Sequence, residues 1–135
     1  MVRLALYRGP APTRLRQVAH RLICWRTRGP YSHVELIDAD GWGWSSSWLD
    51  GGVRRKAIDF GNGHWDLRTI DRDLETAVKW FEDHKGEPYG VMGLLTWLLP
   101  FRVGDSRRPF CSEAVALAIG MPNAWQVSPN DLPTE

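Results

Sequence analysis

The chain has 135 residues, a length that fits one domain able to bury a core without disulfides or a bound metal. Its 43% hydrophobic and 24% charged residues are ordinary for a folded globular protein and argue against disorder. A net charge of +1 gives the whole molecule no general attraction for nucleic acid.

The predicted elements begin with a strand over Val2 to Tyr7, where apolar and other residues alternate until Gly9-Pro10 ends the run. Thr13 can cap a helix running to about Cys24, with Leu15, Val18, Ala19, Leu22 and Ile23 on one face and basic residues on the other. Tyr31 to Ile37 reads as a strand closed by Asp38-Ala39-Asp40-Gly41. Trp42 to Trp48 follows as a second strand, and Leu49-Asp50-Gly51-Gly52 turns the chain into a partner over Val53 to Ile58. Gly61-Asn62-Gly63 is another turn, before a short strand over Trp65 to Ile70.

Asp71 is the expected cap of a helix carrying Leu74, Ala77, Val78 and Phe81, stopped by Gly86. Val91 to Leu99 reads as a short apolar helix ended by Pro100, and the apolar run to Phe101 is too short to span a bilayer. A last helix opens at Cys111 and stops at Gly120, and from about residue 121 the prolines mark an irregular tail. Strands in the middle and helices towards both ends predict one α+β domain over residues 1–135, a central antiparallel sheet packed against helices.

Seven arginines, Arg3, Arg8, Arg14, Arg16, Arg21, Arg26 and Arg28, precede the first acid, Glu35. Such a segment can make weak contact with anionic surfaces, or be a solvated helix face balanced by acids folded nearby. No specific nucleic-acid partner is implied, and no phosphate loop or nucleotide fingerprint occurs. The opening Met-Val-Arg-Leu-Ala-Leu-Tyr is too short and too soon charged for a secretory signal, so a reducing, cytoplasmic setting is expected for Cys24 and Cys111. His20 and Cys24 share a helix face four residues apart, but no second pair has ligand spacing, so neither metal nor cofactor is expected.

The chemistry centres on Cys111 and His33. A cysteine opening a helix meets the first-turn N–H groups and the positive end of the dipole, which favour a thiolate nucleophile. The alternative is a buried cysteine that only fills the core. Among the four histidines, His33 alone stands in a strand, sharing a face with Tyr31 and Glu35 while Val34 and Leu36 face the other way. A strand histidine against a helix-initial cysteine is the layout of a thiolate–imidazolium pair.

Tyr31-Ser32-His33-Val34-Glu35-Leu36-Ile37 and Phe110-Cys111-Ser112-Glu113-Ala114 resemble the two signatures of the circularly permuted papain-like (NlpC/P60-type) amidases, whose histidine strand precedes the cysteine helix. Gly86-Glu87-Pro88-Tyr89 and the Asp50-Gly51-Gly52-Val53-Arg54 hairpin match in order as well, the latter as in small phage and bacterial members. The resemblance spans roughly Leu4 to Gly120. It implies a permuted papain-like fold with Cys111 as nucleophile and His33 as general base and acid.

In that family a polar side chain on the following strand orients the imidazole. Here that strand reads Trp44-Ser45-Ser46-Ser47-Trp48, with no carboxylate, and the central Ser46 is taken for the role. Glu35 is set aside, because an orienting bond from two residues along the same strand is awkward. Tyr89 is a candidate oxyanion donor beside the Cys111 N–H, and Trp44 and Trp48 are candidates to line the substrate site.

The expectation is therefore a cysteine hydrolase that cleaves an amide or ester through an acyl-thioester, acting on a small-molecule, peptide or lipid-linked substrate such as a cell-wall peptide or an acyl lipid. The alternatives are an acyltransferase using the same thioester, and a non-catalytic phage accessory or binding protein that keeps the fold.

Overall fold

A computed structural model describes residues 1–9, 30–47, 50–87 and 111–121. The predicted helix over 13–24, the apolar segment 91–101 and the tail beyond 121 lie outside these residues, as do His20, Cys24, Trp48 and Tyr89. The described part is α+β. Five strands, β1 (Val2–Tyr7), β2 (His33–Ile37), β3 (Gly43–Ser47), β4 (Gly52–Lys56) and β5 (Trp65–Ile70), form one antiparallel sheet in the order β4-β3-β2-β1-β5. Two helices accompany it, α1 (Leu74–His84) and α2 (Cys111–Ala118).

Alternation along each strand divides the sheet into two faces. Leu4 pairs with Leu36, Leu36 with Trp44, and Ser46 with Val53, so these side chains share the face on which the helices lie. There Phe81 of α1 packs on Trp44 with ring centroids 5.9 Å apart, and Cys111, Ala114, Val115 and Ala118 of α2 complete the core. The opposite face carries Ala5, Glu35 and Ser45, all fully buried although no described helix covers them.

Among the described residues, one segment that reaches this face follows from topology. β4 and β5 are the two edges of the sheet, so residues 57–64 must cross from one edge to the other. That span is roughly 19 Å at about 4.8 Å per strand, and these residues reach roughly 26–29 Å when extended. The crossover therefore has length to spare, which it takes up in turns and bends over residues 60–64. It presses Ile58 and Phe60 onto Gly43, and Phe60 onto Trp65, with ring centroids 5.2 Å apart.

The turns behave as their residues dictate. Asp38 Oδ1 accepts the backbone N–H groups of Asp40 and Trp42, and Gly41 supplies a φ of 82° to close the β2–β3 hairpin. The cap of α1 is Asp73 and not Asp71, since the Asp73 side chain accepts the Thr76 N–H at 3.0 Å. Asp71 stands too far upstream to meet that orphan donor. Among the described residues, no helix is long and apolar enough to cross a membrane.

Candidate active site

β2 begins with His33 at the end of the sheet, and α2 begins with Cys111. Cys111 is a free thiol, buried at 4% exposure, whereas the His33 side chain keeps 24% of its surface open. His33 Nε2 lies 2.7 Å from Glu35 Oε1. The two side chains share a face because they are two residues apart on a strand. An ionised carboxylate has no proton to give, so Nε2–H donates to Glu35 and Nδ1 is left for the thiol.

Glu35 is in turn gripped by Arg54. One guanidinium nitrogen donates to Oε2 at 2.7 Å and the other to Oε1 at 2.5 Å, a bidentate fork. Arg54 reaches it because β4 pairs Arg54 with Ser45, on the same face as Glu35. Its Nε donates to Asp50 at 2.9 Å across the β3–β4 turn, where Gly51 has a φ of 80°. The Cys111 side chain also hydrogen-bonds the His33 ring, so a continuous chain runs from Cys111 through His33, Glu35 and Arg54 to Asp50.

The electrostatics follow from that chain. Burial alone would raise the Glu35 pKa, but the His33 and Arg54 hydrogen bonds and charges outweigh it and hold the carboxyl below its ordinary value. For His33, burial pulls the pKa down. The charge and hydrogen bond of Cys111, followed by those of Glu35, carry it up to about 10. The arrangement favours an imidazolium between the Cys111 side chain and the Glu35 carboxylate.

An aromatic wall flanks the histidine. Tyr7 pairs with both His33 and Trp65 in register, so the three side chains stand in a row across β2, β1 and β5. Trp65 meets the His33 ring edge-on at 6.4 Å and the Tyr7 ring at 4.9 Å. Two surface depressions lie away from this place. One is bordered by Asp38, Arg55 and Glu82, and the other by Arg72, Lys79 and Ile119.

Two of the expected site residues fall elsewhere. Ser46 points to the helix face, fully buried, and its Oγ has no hydrogen-bond partner among the described residues. It cannot orient the imidazole, because alternation turns it away from the face that His33 and Glu35 share; Glu35 makes that bond instead. Trp44 is 3% exposed, packs on Phe81 and donates its Nε1–H to Asp38 at 3.0 Å. It is a core residue and does not line a substrate site.

Arg54 is a site residue that the motifs do not single out. Its signal was the Asp50/Arg54 spacing across a glycine turn, on a strand predicted to pair back.

The Gly86-Glu87 step is tied to β4. Gly86 N–H donates to Val53 O at 2.9 Å and Val53 N–H to Glu87 O at 2.8 Å, with Gly86 at a φ of 91°. Two residues opposite one, with a left-handed glycine first, is the G1 bulge pattern. Among the described residues, no group of three or more His, Cys, Asp or Glu side chains is arranged to hold a metal ion. No protein-family model matches the chain, and no curated protein matches it significantly.

Proposed function

We propose that this protein is a cysteine hydrolase of permuted papain-like (NlpC/P60-type) architecture that cleaves an amide or ester bond. The observation that carries the reading is the placement of His33 between the Cys111 thiol and the Glu35 carboxylate. A core-filling cysteine requires no charged partner, and a buried glutamate on an imidazole otherwise costs several kcal/mol of desolvation.

In this mechanism His33 Nδ1 takes the Cys111 proton, and the thiolate attacks the substrate carbonyl carbon to form the C–S bond. The oxyanion meets the backbone N–H groups at the start of α2. As the tetrahedral adduct collapses, the bond to the leaving nitrogen or oxygen breaks, and His33 returns its proton to that atom. Water then gives a proton to His33 and its oxygen to the acyl carbon. The C–S bond breaks, and the acid and the thiol are released. Glu35 keeps the ring in one tautomer throughout and offsets the imidazolium charge.

Incubation with a p-nitrophenyl ester, followed by acid quenching and mass spectrometry, tests the reading. The acyl mass should appear on Cys111 in the wild type and be lost in both Cys111→Ala and His33→Ala. Acylation that persists without His33 refutes the mechanism. Transfer of the acyl group to an added amine in preference to water would identify an acyltransferase.

A further inference from the structure

We propose that Arg54 is a positioning residue: its guanidinium fork fixes the Glu35 carboxylate and, through it, the His33 imidazole for reaction with Cys111. The inference rests on the hydrolase reading above and gives the Asp50-Gly51-Gly52-Val53-Arg54 hairpin a role in it.

Glu35 is fully buried, and His33 can bond only one of its oxygens with Nε2. Without Arg54, Oε2 would face Gly43, Ile58 and Phe60, none of which offers a charge. A buried carboxylate so placed is driven towards its neutral form, or rotates away from the ring. The fork blocks both outcomes, because two parallel N–H donors fix the plane of the carboxylate as well as its charge. Asp50 holds the fork in turn, through Nε on the outer side of the same hairpin.

The other described groups around Glu35 do not compete. Ser45 of β3 spends its hydroxyl on the Val34 carbonyl at 2.7 Å, and Ala5 of β1 is apolar. Lys56 reaches Asp50 at 3.4 Å and acts only at the far end of the chain. Among the described residues, charge at Glu35 is therefore set by His33 on one side and Arg54 on the other.

The test follows the carboxyl carbon of Glu35 by NMR in the full chain labelled with 13C-glutamate, together with iodoacetamide alkylation of Cys111 across pH. Arg54→Gln should move the Glu35 titration up by about one to three pH units, and the acid limb of the alkylation profile should move up with it. Arg54→Lys keeps a charge but not the fork and should recover only part of the shift. Asp50→Asn should produce a smaller shift in the same direction.

If Arg54→Gln does not fold, Arg54→Lys decides alone, and a Glu35 titration unchanged from wild type overturns the proposal. A uniform loss of alkylation rate at every pH also overturns it, since a merely structural role gives that result. Alkylation that depends on His33 while Glu35 does not move removes Arg54 only. Alkylation indifferent to His33→Ala removes the hydrolase reading, and the positioning role falls with it.

Discussion

His33 and Glu35, two residues apart on one strand, are joined side chain to side chain, Nε2 to Oε1 at 2.7 Å. The bond is possible because both side chains stand on one face and the longer glutamate can lean back along the strand. It turns an ordinary strand histidine into the middle of a charged chain. It also makes one buried carboxylate responsible for two cations.

Glu35→Ala should therefore be costly to the fold as well as to the site. It leaves Arg54, whose side chain is 14% exposed, without its bidentate partner. Removing one member of a buried ion pair costs about 3–5 kcal/mol. Urea unfolding should show a loss of that order, and a loss below about 1 kcal/mol would contradict the burial described.

Stability should fall at both ends of the pH range for identifiable reasons. His33 has a raised folded-state pKa of about 10 against an ordinary 6.5, so its contribution is full below pH 6.5 and fades as pH rises towards 10. Glu35 has a lowered pKa, so its contribution is full above 4.5 and is lost as pH falls further. Denaturation at stepped pH should show the alkaline decline in wild type and not in His33→Ala. A decline of equal size in both would contradict the coupling.

Gly43→Ala tests the crossover that closes over Glu35. A Cβ there would stand 2.7 Å from Glu35 Oε2 and 3.1 Å from both Ile58 Cδ1 and Phe60 Cζ. Overpacking of this kind costs about 1–3 kcal/mol. The variant should also expose the carboxylate and weaken the His33 bond, visible as a lower His33 pKa by NMR. A neutral, unshifted variant would show that the crossover does not cover the site.

The helix face offers a control that leaves the site alone. Phe81 is fully buried against Trp44 and Trp80, and Phe81→Ala should cost about 3–5 kcal/mol. Asp73→Ala removes the α1 cap and should cost about 1 kcal/mol. Thermal unfolding ranks the two, and the reverse order would contradict the packing.

Much of the described fold was legible in the sequence. Alternation bounds β1, the Gly61-Asn62-Gly63 turn precedes β5, and the Asp38 and Gly51 turns lie where glycine and aspartate demand them. The face shared by His33 and Glu35 was legible too, from strand periodicity alone. Their bond was not, because side-chain reach along a strand depends on rotamers that periodicity does not specify. Ser46 was misjudged for a related reason: it is central in its run, but the β2–β3 register turns it towards the helices.

The Arg54 fork depends on the register of β4 against β3, which brings residues 19 apart in sequence together. The turn makes the β3–β4 pairing legible, but the meeting with Glu35 also needs the β2–β3 register, which the spacing does not specify. Trp44 illustrates the limit of composition. Its ring suited a groove or a core equally, and only Phe81 and Asp38 decide between them.

The measurement that bears most directly on the account is the rate of Cys111 alkylation by iodoacetamide from pH 5 to 9, with Cys24→Ser as background. The account predicts that His33→Ala slows the reaction at pH 6 by at least about tenfold, because the thiolate is the reacting form and His33 is the group that accepts its proton. Coincident profiles for the two proteins across the whole range would contradict it.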